Sequence, residues 1–247
     1  MQAQKRSGSE RLRRYVLHHG LFNTFFHLIY RLTNSSVMVL IFRIVTLTRG
    51  DVDWSLVVGS DDRWGFLSED ELIRLSRLDP SLELEDKFLS QAFARGDRCF
   101  GFVEDGILGA YAWYSVGPTP IQDFLVAAFD PNYIYMHKAF TSPAFRGRRL
   151  YGIGVARAMH ALAQERRFEG LISCIQSHNQ PSLKALRRIG FKTVGRTGVL
   201  GRRRPCVSFS TPGCRSLFSA KIQSTETLPM LPQTSHEARQ SDTSIRR

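Results

Sequence analysis

The sequence predicts an α/β fold: a mixed sheet with helices packed on it, preceded by an amphipathic helix. Three observations carry this. Residues 37–47 (VMVLIFRIVTL) form a β-branched apolar run too short to span a membrane. Asp105-Gly106 lies between Arg98–Glu104 and residues 107–116 and is the strongest short hairpin signal in the chain. Residues 133–191 then read as strand, turn, helix, strand, turn and helix.

Composition sets the outer limits. A chain of 247 residues holds one large domain, or a domain with appendages, and 43% apolar residues are ample for a packed core. The formal charge of +12 bears on partners rather than fold, and it suits nucleotides, nucleic acid, anionic lipid and acidic proteins alike. The arginines are not interleaved with aromatics as in nucleic-acid readers, so no specific nucleic-acid partner is expected. Cys99, Cys174, Cys206 and Cys214 form no paired spacing. Neither a disulfide framework nor a metal site is expected, and a reducing, cytoplasmic location is the default.

Taken in order, residues 1–35 form a basic and amphipathic extension in which Leu21, Phe25, Leu28 and Leu32 share one helical face. That face is expected to pack on the domain or a second subunit, with a peripheral membrane contact as the alternative. The histidines and Arg31 interrupt any signal-like apolar stretch. Residues 36–215 are expected to form the domain. Residues 37–47 are its first strand, and residues 52–67 read as irregular, with Trp54 and Trp64 as lid or packing residues. Ser68 through Glu71 is a capping-box start for a helix ending at Asp79-Pro80, and residues 85–95 form a second helix closed by Gly96. The hairpin follows.

Tyr133–Thr141 is an aromatic-rich strand that Pro143 ends. After Arg146-Gly147-Arg148-Arg149 comes a helix with apolar residues Leu150, Ile153, Ala158 and Leu162 at helical spacing. Residues 171–175 are a short buried strand. Asn179 caps the next helix, Pro181 sits in its first turn, and Gly190 stops it. A final antiparallel pair is expected over residues 192–200 and 205–210. From Ser216 to the end, residues 216–247, the composition is Ser-, Thr-, Gln- and Pro-rich, which predicts a disordered tail.

A strand delivering a Gly- and Arg-bearing turn into a helix N-terminus is an anion site, because free N–H groups, the helix dipole and guanidinium donors converge there. The alternative is a solvated helix start in which Gly147 only makes a turn. No Gly-Lys-Ser/Thr follows, which excludes a P-loop. Gly152-Ile-Gly154 begins a dinucleotide fingerprint, but residue 157 is Arg and residues 171–177 offer no acid for a ribose.

These two motifs, in order, resemble the GCN5-related N-acetyltransferase superfamily. Thr141 through Tyr151 stands where that family has V-x-P-x-x-R-G-x-G-x-G/A, and Asn179-Gln-Pro-Ser182 with Gly190-Phe191 matches its second motif. Arg149 and Tyr151 replace two of the usual glycines, and Leu186 stands where many members carry a tyrosine acid. A register starting at Arg149 restores the glycines but moves them two or three residues too far from Pro143. The resemblance implies a GNAT-like acyltransferase fold and a direct acyl transfer from acyl-CoA, acetyl-CoA the simplest, to a primary amine of an unidentified acceptor. It implies acyl-CoA contacts at Phe140, Thr141, Arg146, Gly147, Arg148, Arg149, Leu150, Tyr151, Asn179 and Ser182, with no metal. Backbone N–H groups near the end of Tyr133–Thr141 would polarise the thioester. Such a transfer needs something to take the amine's proton, and His137 is the one residue in that strand titrating near neutrality. Tyr135 shares its face, so His137 and Tyr135 are the candidate catalytic pair. Two alternatives stay open: the same fold drawing acyl groups from an acyl carrier protein, and a silent acyl-CoA-binding module.

Overall fold

In this computed structural model, which describes residues 38–57, 59–122, 124–201 and 205–223, the chain opens with β1 (Met38–Thr48) and β2 (Trp64–Leu67). Helices α1 (Glu69–Leu78) and α2 (Asp86–Ala94) follow, then the hairpin β3 (Arg98–Glu104) and β4 (Ile107–Ser115). Two short strands, β5 (Thr119–Gln122) and β6 (Leu125–Phe129), lead to β7 (Tyr133–Thr141). The run α3 (Leu150–Glu165), β8 (Gly170–Gln176) and α4 (Gln180–Arg188) completes the central stretch. β9 (Lys192–Gly201), β10 (Pro205–Ser210), the one-turn α5 (Pro212–Arg215) and β11 (Phe218–Ile222) close the described chain.

Local chemistry explains the boundaries. The Ser68 side chain accepts from the Glu71 N–H and Asn179 accepts from the Ser182 N–H, so each satisfies a donor that its helix start leaves free. Asp105 and Gly106 both have positive φ, 52° and 75°, as the primed hairpin turn between β3 and β4 requires.

Eight strands form one sheet in the order β10-β9-β1-β8-β7-β4-β3-β2, with β7 and β8 as its parallel pair. On one face α3 and α4 cover Val45, Leu47, Ile134, Met136 and Leu171. On the other, α1 and α2 pack over Trp113 and Tyr111, while a small sheet of order β11-β6-β5 covers Phe42, Ile44 and Tyr135. The layers agree with the expected mixed α/β architecture.

Two differences from the sequence reading, and one placement it left open, have physical causes. Residues 64–67 are a strand rather than irregular chain: β2 pairs antiparallel with β3, and Trp64 packs on Phe100 and Phe102. β1, whose neighbours the sequence left open, lies between β8 and β9, antiparallel to both. Its residues alternate Leu40, Phe42 and Ile44 to one buried face and Val45 and Leu47 to the other, so only a central position buries both. Third, the disordered tail expected from Ser216 starts too early. Phe218 and Ala220 are buried, and β11 pairs with β6 from Phe218↔Phe129 to Ile222↔Leu125. The N-terminal helix expected in residues 1–35 and the tail beyond Gln223 lie outside the described residues.

Ending the chain at Ser216 therefore removes a core strand, and Phe218→Ala alone should cost about 3–5 kcal/mol through the cavity it leaves. Denaturant unfolding measures it; a variant as stable as the parent would show that β11 contributes nothing.

Candidate active site

β7 and β8 run together only over Tyr133–Tyr135 and Gly170–Ile172, then part. The cause is an extra residue in β7. On β4, Tyr111 and Trp113 are two apart, yet their partners Phe140 and His137 are three apart. Lys138 absorbs the difference with φ 41°, a left-handed conformation costly for a side-chain-bearing residue. At the fork the Ser173 hydroxyl donates to the Met136 carbonyl at 2.8 Å, so the bond holds the strands together where the ladder stops.

A cleft of about 830 Å³ runs through this split. Because side chains alternate along each strand, its two ends differ. Arg146, Tyr151, Pro181, Ser182 and Ala185 line the end on the α3/α4 face; Phe88, Ile121, Gln122, Tyr135 and His137 line the opposite end.

At that opposite end His137 is nearly enclosed. Its Nε2 is 3.3 Å from the Ser115 Oγ and 3.6 Å from a carboxylate oxygen of Asp97. Ser115 donates a short hydrogen bond to Asp97, which also accepts from Arg95 at 2.7 Å. Burial pushes the His137 imidazole below its ordinary value despite the opposing pull of Asp97, so the ring is neutral at physiological pH. For Asp97 burial acts upward, but the nearby His137 and the hydrogen bonds from Ser115 and Arg95 outweigh it and hold the carboxyl below its usual range. Tyr135 stacks on His137 at 5.6 Å and on Phe129 at 5.3 Å, and burial raises its pKa far above the usual phenol, keeping it neutral.

The anion turn divides its residues. Arg146 lines the cleft, and Gly147, with φ 86°, turns the chain in the exposed loop. Arg148 turns away. It donates to both carboxylate oxygens of Glu104 at 2.7 and 2.9 Å, and that contact holds Glu104 down to about 2. Arg149 is exposed and takes the N-cap of α3 in a left-handed conformation, φ 58°. Leu150 is core, packed with Phe102, Ala110 and Phe145. Thus Phe140, Thr141, Arg146, Tyr151, Asn179 and Ser182 converge on the cleft with His137 and Tyr135. Arg148 and Leu150 serve the scaffold, and Gly147 and Arg149 shape the turn outside the lining. Sequence reading missed Asp97, Ser115 and Arg95. Asp97 sits in an Arg-Gly-Asp-Arg link that reads as a helix end, and 39 residues of chain separate it from His137; only strand pairing brings them together.

The model of the acetyltransferase (GNAT) family matches residues 64–191, more than half of the chain. No curated protein matches it. Among solved structures, a GNAT-family protein from Novosphingobium aromaticivorans is 18% identical with a TM-score of 0.46, over 66% of this chain and 65% of its own. A GNAT-family acetyltransferase from Colwellia psychrerythraea is 14% identical with a TM-score of 0.44, over 74% and 61%. A GCN5-related N-acetyltransferase from Kribbella flavida is 15% identical, TM-score 0.44, over 71% and 63%. This chain spans less than two thirds of the length of each.

The divided turn makes a discriminating prediction. Arg146→Ala should weaken coenzyme A binding about 10- to 100-fold, the loss of one charge-assisted contact set. Arg148→Ala should leave it within about twofold, since that guanidinium belongs to Glu104. Calorimetry with both variants measures this, and equal losses would refute the division.

Proposed function

The chain belongs to the acetyltransferase (GNAT) family, and from that premise we propose that it transfers an acyl group, acetyl the simplest, from acyl-CoA directly to a primary amine. The observation that carries this reading is the neutral His137 at one end of a through-sheet cleft whose other end offers Arg146 and the start of α3. The donor's phosphates meet Arg146 and the free N–H groups of the first turn of α3. Its pantetheine arm lies between the separated strands, past Asn179 and Ser182. The thioester carbonyl reaches the β7 bulge, where Lys138 and Ala139 have no partner in the β4 ladder, so their N–H groups are available to the developing oxyanion.

The amine enters from the Phe88 and Ile121 end. An alkylamine with a pKa near 10 is about one part in a thousand neutral at pH 7, so its proton must be removed. The hydroxyl hydrogen of Ser115 goes to Asp97, so its lone pair accepts the Nε2–H of His137 and the Nδ1 lone pair becomes the ring's basic site. His137 takes the amine proton there, directly or through water. The nitrogen attacks the carbonyl carbon, the C–N bond forms, the C–S bond breaks, and the thiolate leaves to be protonated. Asp97 acts through Ser115 and is a positioning residue.

With burial lowering the His137 pKa, the acid limb of kcat/KM should lie below pH 6.5. His137→Gln should remove that limb and lower kcat/KM about 10²–10⁴-fold, while acyl-CoA binding persists. Asp97→Asn removes the charge that favours imidazolium, so the limb should move to still lower pH and the plateau should drop. Rate profiles on an amine panel, with donor binding measured separately by calorimetry, decide. Turnover with an unchanged limb in His137→Gln would remove His137 from the mechanism; tight donor binding without turnover on any amine would favour a silent binder.

A further inference from the structure

Helices α3 and α4 cover the sheet only as far as the middle of β1. Val45 and Leu47 are buried beneath them, but Ile41 and Arg43, on the same face of β1, lie beyond their edge. β9 and β10 continue that uncovered face, because paired residues point to the same side. Val39, Leu200 and Val207 form one cross-strand row, and Ile41, Gly198 and Phe209 form the next. The Phe209 ring lies over Gly198, where any Cβ would collide with it at 2.6 Å. Four of these side chains stay open to solvent: Ile41 at 36%, Leu200 at 38%, Val207 at 54% and Phe209 at 37% exposure.

The border of this apolar patch is basic. Arg43 stands directly opposite Arg196 in the ladder, a like-charge pairing that destabilises a sheet. Arg187, in the last turn of α4, adds a third positive field, and it acts with Arg196 and burial to lower the Arg43 pKa. Among the described residues no carboxylate pairs with any of the three, and the buried Nε of Arg43 has no partner. The chain also enters β1 at this edge. The 37 residues before Met38 carry six Lys or Arg against one Glu, along with Phe22, Phe25, Phe26 and Leu28.

We infer that this face, bounded by Arg43, Arg187 and Arg196 and centred on Leu200, Val207 and Phe209, rests on an anionic lipid surface. The apolar side chains enter the headgroup boundary while the arginines meet lipid phosphates. The inference does not rest on the transfer chemistry.

The test is flotation of the full chain with vesicles of phosphatidylcholine alone or mixed with phosphatidylglycerol, at low and high ionic strength. The parent should float with the anionic vesicles and be released by salt. Val207→Ser with Phe209→Ser should cut binding at least about tenfold, by removing two of the inserted apolar groups. If that pair impairs folding, Arg187→Gln and Arg196→Gln, both exposed, should each weaken binding about fivefold. Three results would overturn the proposal. One is equal flotation with both vesicle types. Another is unchanged binding in the folded variants, which would assign it to residues 1–37. The third is a dimer in solution abolished by the same substitutions, which would assign the face to a second copy.

Discussion

The separation of two parallel strands after three paired residues is the constraint on which the site depends. A gap in a sheet leaves backbone donors and acceptors without partners, and it persists only if each lip is held from its other side. β4 holds one lip, pairing along β7 as far as Thr141 on both sides of the bulge at Lys138. β1 holds the other. It pairs with β8 from Thr48↔Gly170 to Phe42↔Gln176, well beyond Ile172, where β7 leaves. An eleven-residue strand, buried on both faces over its second half, thus serves as a brace for a cleft to which it contributes a single lining residue, Phe42. With both lips anchored, the bulge at Lys138 and the Ser173 hydrogen bond set the opening rather than closing it.

Within that frame, two carboxylates sort the cations. Glu104 takes Arg148, with Arg63 beside it at 2.6 Å, and so leaves Arg146 as the guanidinium lining the cleft. Asp97 does the corresponding work at the far end. Buried and negative, it is satisfied by Arg95 and Ser115, and Ser115 in turn stands 3.3 Å from the Nε2 of His137. Each pairing is a long-range consequence of strand order: Glu104 ends β3 and Asp97 immediately precedes it, so the two carboxylates flank one strand, one beside the arginine turn and the other beside His137.

What could be read from the sequence follows from how local each signal is. Caps, the Asp105-Gly106 turn and the alternation of strand and helix over residues 133–191 depend on neighbours a few positions apart, and these agree with the structure. Arg146, Asn179 and Ser182 lie in motifs whose spacing encodes their placement. The Asp97–Ser115–His137 chain has no such spacing; it exists because β3, β4 and β7 are adjacent. β1 was legible as a strand, but its place between β8 and β9 was not, because an apolar run states that both faces are buried and not between which partners. β11 escaped for the opposite reason. In FSAKI two small or apolar residues, Phe218 and Ala220, reach the core between polar ones, too weak a pattern beside a Ser-rich stretch.

The glycines show why the arginine turn had two readings. Where the family pattern has its second glycine this chain has Arg149, and Arg149 adopts the left-handed conformation, φ 58°, that glycine reaches without strain. Gly152 and Gly154, which would restore the motif in a later register, lie inside α3 and answer to packing instead. A Cβ on Gly154 would come within 2.7 Å of the Trp64 ring, and one on Gly152 within 3.1 Å of Ile189. Small residues there let α3 lie close against β2 and the end of α4, which draws the first turn of the helix down to the fork between β7 and β8. The glycines of the turn and those of the helix serve the same geometry by different means, one by conformation and the other by absence of bulk. A side chain at 149 is accommodated on the exposed turn in the left-handed conformation, whereas a side chain at 154 would push α3 away from Trp64.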